Sequence, residues 1–121
     1  MNTPTESTDF GIAPLSAARL RRLFDSTPGL RRVWIFGSRA TGSQRTESDI
    51  DLALEAPGWG LHEQTQWTDA LRQLGLLYRV DTVFLDGAVP AALRQRIERD
   101  RRLFWAAPGA GCESDTARAA A

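Results

Sequence analysis

The chain has 121 residues, 42% of them hydrophobic and 25% charged, enough for one compact core and too few for two domains of ordinary size. Its 15 basic residues, every one an arginine, are balanced by 15 acidic ones, so no overall basic field draws it onto nucleic acid and a polynucleotide is not favoured as direct substrate. No run approaches the ~20 apolar residues of a membrane helix, the N-terminus lacks the basic-then-apolar pattern of a signal peptide, and the single cysteine, Cys112, has no second thiol, so a cytoplasmic protein without an internal disulfide is expected.

Residues 1–10 are mostly polar and 106–121 are rich in alanine and glycine; both are expected to be flexible tails around one domain, residues 11–105. Leu15 to Asp25 places Leu15, Ala18, Leu20 and Leu23 near helical spacing, and Ser26-Thr27-Pro28-Gly29 stops that helix. Arg32 to Phe36 is a β-branched and aromatic run without alternation, which predicts a central strand covered on both faces and ended by Gly37. Arg39 to Ser48 allows one helical turn and a loop. Asp49 to Leu54 then alternates strictly, as a second strand does. After Gly58-Trp59-Gly60, Trp67, Leu71 and Leu74 mark a helix over Leu61–Leu74. Tyr78 to Leu85 predicts a third strand in a segment built for burial. Pro90 opens a helix over Ala91–Asp100 with Leu93 and Ile97 at a four-residue step, and Leu103-Phe104-Trp105 adds an extended piece.

Three features carry chemistry. A strand that runs into Gly37-Ser38 and a helical turn can offer backbone N–H groups, the Ser38 hydroxyl and a positive helix end to phosphate, though a strand exit and helix cap would use the same two residues. Asp49-Ile50-Asp51 puts two carboxylates on one face of a strand, where they repel unless a hard cation such as magnesium lies between them; a turn cap at Asp49 and a solvated Asp51 would also fit. Asp81 lies mid-strand among Val80, Thr82, Val83 and Phe84, so it needs a partner, either a metal or a neighbouring arginine.

Together, Phe36-Gly37-Ser38-Arg39-Ala40-Thr41-Gly42 and Ser48-Asp49-Ile50-Asp51-Leu52 resemble the minimal nucleotidyltransferases (MNT) of the DNA polymerase beta superfamily. That family's pattern is Gly-Ser, a gap of about ten residues, an acidic-apolar-acidic triplet and a third acid on a later strand, where Asp81 falls. The resemblance spans roughly Leu15 to Trp105. It implies an α+β fold, a small mixed sheet packed against helices in two layers, with a triphosphate held by Gly37, Ser38 and Arg39. It also implies Asp49, Asp51 and Asp81 as catalytic carboxylates holding magnesium, two ions in the family's mechanism, with ATP as substrate. Many members have a second basic residue where this chain has Thr41. Short MNT proteins commonly act as antitoxins beside HEPN ribonuclease toxins, some by transferring AMP to a toxin tyrosine, and that is the function the resemblance implies, with homo- or hetero-oligomers as the expected setting. The alternatives are an antitoxin that neutralises its partner by binding alone and nucleotidyl transfer to a small molecule; the lack of an acceptor-binding domain in the sequence counts against the second. His62 reads as a solvated surface residue and the arginines from Arg94 to Arg102 as a solvated helix face, while Trp59 and Trp105 could be exposed.

Overall fold

The computed structural model describes residues 10–45 and 48–109. Most of the two expected tails, and Cys112 with them, lie outside the described residues, although Ala106 belongs to the last strand. The chain order is α1 (Pro14–Asp25), β1 (Arg32–Phe36), α2 (Ser38–Thr41), β2 (Ile50–Glu55), α3 (Leu61–Arg72), β3 (Val80–Phe84), α4 (Ala91–Asp100) and β4 (Arg102–Ala106). The strands form one sheet in the order β3-β2-β1-β4, with β1 antiparallel to both neighbours and β2 parallel to β3. This is the expected α+β fold with a mixed sheet. Among the described residues no helix is long and apolar enough to cross a membrane.

β1 is central and buried along its whole length, as its unbroken apolar run requires. Its side chains alternate between two clusters. Val33 and Ile35 join Ile50, Leu52 and Leu54 beneath α1 and α3, where Phe24 stacks on Trp67 at 6.2 Å. Trp34 and Phe36 join Ala53 on the opposite face, which Ile97 of α4 covers. A bulge in β4 pairs Val33 with Trp105 but Trp34 with Leu103, so Phe104 and Trp105 both reach the first cluster.

Two expectations shift. The buried face of α1 is Ser16, Ala17, Leu20 and Phe24, while Leu15 is 64% exposed, because Phe24 is drawn onto the aromatic cluster of Trp67, Phe104 and Trp105. β3 is an edge strand and only partly buried, since it pairs with β2 alone; the covered strand expected there is not formed. Trp59 and Trp105 are held in the fold: Trp59 packs on Trp67 and Phe84, and the Trp105 indole donates to Asp25 at 2.9 Å. His62 is exposed, as expected.

Candidate active site

One end of the sheet collects the predicted residues. Phe36 pairs with Asp51, and Asp51 pairs with Asp81 across the parallel β2–β3 ladder, so the two carboxylates stand side by side on the face that also carries Ala53 and Val83. The Ile50 N–H donates to the Arg79 carbonyl at 2.9 Å and fixes that register. Asp49 lies two residues before Asp51, just outside the strand.

Gly37 completes the row from β1. Its backbone, at φ 77° and ψ −154°, occupies a region essentially reserved for glycine, and a Cβ there would run into the Asp51 carboxylate oxygen Oδ2. The turn of α2 starts at Ser38, and the Gly37 carbonyl accepts from Ala40 and Thr41 at 3.1 and 3.2 Å. The first N–H groups of any helix lack acceptors within it, so this turn presents donors where β1 ends.

Burial pushes the Asp51 carboxyl above the ordinary aspartate range, and the charges of Asp81 and Asp49 push it further; Arg96 and Arg39 pull it back. Asp81 is half-exposed on the edge strand, and its carboxylate faces Arg79 Nε at 3.7 Å. Among the described residues no three carboxylate, imidazole or thiol groups form a ready-made metal cage. The row still fits a divalent cation. Carboxylate oxygens are the ligands magnesium takes, and their mutual repulsion is what a cation relieves; the bare Gly37 backbone is what lets the Asp51 carboxylate lie against it.

Arg39 follows Ser38 as expected, but its side chain runs inward. It is 2% exposed and donates to the carbonyls of Ser48 and Phe10. Two residues that the sequence reading did not single out also belong here. Arg96 on α4 acts on Asp51 electrostatically, and its place one residue before buried Ile97 and three after Leu93 was the available signal. Tyr78 lies under the Arg39 guanidinium, 4.9 Å from it to the ring centre, a contact that no sequence pattern announces.

A mixed four-stranded sheet that faces aspartates on two parallel strands toward a glycine-serine exit from its central strand defines a polymerase beta-like nucleotidyltransferase fold. The sequence comparison agrees: the family described as "Polymerase beta, Nucleotidyltransferase" matches residues 18–107, and the chain belongs to it. Among solved structures, a toxin–antitoxin crystallised with AMP-PNP is similar at 26% identity and TM-score 0.60, over 74% of this chain and 73% of that one. An MNT antitoxin complex with the tri-AMPylated HEPN toxin of Shewanella oneidensis aligns at 23% identity and TM-score 0.59, covering 84% and 75%. A putative nucleotidyltransferase from Sulfolobus solfataricus aligns at 23% identity and TM-score 0.55, covering 88% and 89%. A comparison with curated proteins gave no match.

Proposed function

We propose that the protein transfers AMP from ATP to a hydroxyl, a tyrosine of a partner HEPN ribonuclease toxin, and acts as that toxin's antitoxin in the cytoplasm. The observation that carries the chemistry is the pairing of Asp51 with Asp81 on two parallel strands beside the exit of β1, with Gly37 kept bare against the Asp51 carboxylate. The toxin partner and the AMP donor are supported by the solved toxin–antitoxin structures, one with AMP-PNP and one with an AMPylated toxin.

Asp49, Asp51 and Asp81 would hold magnesium, which when bound neutralises the triphosphate and acidifies the acceptor hydroxyl. Gly37 and Ser38 bind the phosphates: the missing Cβ lets the Asp51 carboxylate stand against the turn, and the Ser38 hydroxyl and the first N–H groups of α2 donate to the phosphate oxygens. The donors stay with the departing pyrophosphate, where charge develops as the bond to the α-phosphorus breaks. Asp81, half-exposed on the edge strand, is the carboxylate an acceptor can reach, and its oxygen Oδ1 or Oδ2 takes the hydroxyl proton. Asp51, half-buried on the neighbouring strand, orients the row.

Intact mass spectrometry of the candidate partner tests this, after incubation with the protein, magnesium and ATP beside an Asp49→Ala/Asp51→Ala variant. A gain of one or more AMP units, absent with the variant, is the expected result. No gain from any nucleotide, with binding and inhibition retained, would replace this reading with an antitoxin that acts by binding alone.

A further inference from the structure

The side chain after Ser38 lies behind the phosphate niche. Arg39 Nε and Nη2 both donate to the Ser48 carbonyl, at 3.3 and 2.8 Å, while Nη1 donates to the Phe10 carbonyl at 3.1 Å. The Tyr78 ring lies 4.9 Å from the same guanidinium, and the Tyr78 hydroxyl accepts from the Ala13 N–H at 2.9 Å. One buried cation thereby joins four stretches of chain: the turn before α1, the start of α2, the loop that leads into Asp49, and the approach to β3.

The Ser48 carbonyl belongs to the peptide unit that enters Asp49. A planar fork holding that oxygen with two donors fixes the plane of the peptide, and thus the direction in which Asp49 leaves the loop. Beyond it, the Ile50 bond to Arg79 fixes the next residue, so the chain on both sides of Asp49 is pinned. A second tie closes the loop, since the Arg45 N–H donates to the Ser48 hydroxyl at 2.7 Å.

We propose that Arg39 is a positioning residue for the metal-holding carboxylates: from behind the site it sets the Ser48–Asp49 peptide against a backstop made by the Phe10–Ala13 turn and Tyr78. The proposal rests on the reading of Asp49, Asp51 and Asp81 as metal ligands. It makes the contribution of Arg39 to nucleotide binding indirect, through the loop, and it couples the turn before α1 to the active site. Groups that orient ligands from outside typically govern about 10–100-fold in metal affinity.

The test is Mn2+ titration, with free ion read by electron paramagnetic resonance, on the wild-type protein and on Arg39→Ala and Arg39→Lys, each checked for native circular dichroism. ATP affinity is then measured at saturating Mn2+. Both variants are expected to bind Mn2+ at least about tenfold more weakly, and once the ion is saturating, ATP affinity returns to the wild-type value. Arg39→Lys keeps the charge and the aliphatic stem, so it carries the test if Arg39→Ala does not fold; an ammonium cannot span both carbonyls in the same fork. Wild-type Mn2+ affinity in Arg39→Lys would overturn the fork. Unchanged Mn2+ affinity with lost ATP affinity would overturn positioning in favour of direct phosphate contact. If the wild-type protein binds no Mn2+ at all, the metal reading fails and this inference with it, an outcome distinct from a variant that matches a competent wild type.

Discussion

Gly37 and Asp51 make a quantitative claim on each other. Replacing Gly37 with alanine imposes two costs: a backbone region essentially closed to side chains, about 1–3 kcal/mol, and an overlap with the Asp51 carboxylate that forces the neighbour to move, about 1–3 kcal/mol more. Gly37→Ala should therefore lose roughly 2–6 kcal/mol, a large share of a small domain's stability. In an Asp51→Ala background the carboxylate is gone and the nearest remaining atom, the residue-51 Cβ, lies at an ordinary 3.6 Å, so only the backbone cost of about 1–3 kcal/mol remains. The coupling in this double-mutant cycle is the difference, about 1–3 kcal/mol. Urea denaturation of the metal-free protein, followed by tryptophan fluorescence, measures all four corners. Equal costs in the two backgrounds would refute the contact between Gly37 and Asp51, and a cost near zero in both would refute the backbone conformation.

Asp51→Asn should stabilise the metal-free protein. The Asp51 carboxyl titrates higher folded than unfolded, so its charge opposes folding fully above the folded pKa and not at all below the unfolded one. The gain, about 0.5–1 kcal/mol after allowing for partial exposure, should be present at neutral pH and vanish in acid; a stability profile in which it persists in acid would contradict the electrostatic cause. Glu55→Ala should cost about 2–3 kcal/mol by thermal melt, because the Glu55 carboxylate accepts from both Arg32 Nη1 at 2.6 Å and the Trp34 indole at 2.8 Å; a cost below about 0.5 kcal/mol would mean that water replaces both bonds. Tyr78→Phe keeps the ring under Arg39 and loses the bond to Ala13, so a loss of about 0.5–1.5 kcal/mol is expected with metal affinity little changed. Magnesium at 100 times its dissociation constant should stabilise the wild-type protein by about 2.7 kcal/mol and Asp49→Ala/Asp51→Ala not at all; equal melting shifts would place the ion elsewhere.

The elements were legible because each is locally consistent. Arg32–Phe36 reads as a covered strand and is one, and Ala91–Asp100 begins after its proline and buries Ile97. The failures came from tertiary choice. Nothing local to Val80–Phe84 tells that the strand will sit at the sheet edge, since its apolar residues suit a covered strand as well as one that leaves Asp81 half in water. The face of α1 turned because aromatic residues distant in sequence, Trp67 and Phe104, claimed Phe24. At the site, residue types and order were readable, but the direction of Arg39 was not: an arginine after Gly-Ser suits phosphate by type, and only the folded chain brings the Ser48 and Phe10 carbonyls to its fork.

The site concentrates costs that the rest of the fold offsets. Asp51 is partly desolvated beside two like charges and Gly37 is held in a conformation other residues avoid, both half-buried where the packed strands β1 and β2 reach the edge of the core. Such strain persists only where the surroundings over-determine it, which here means the β1–β2 register from below and the Arg39 fork from behind. The three carboxylates then divide by depth. Asp51 is fixed by its strand, Asp49 by the pinned loop, and Asp81 by little beyond the edge ladder and an exposed ion pair worth under about 1 kcal/mol. Asp81 is thus the acid that can turn from Arg79 at small cost, the freedom that the proposed transfer asks of the carboxylate nearest an acceptor.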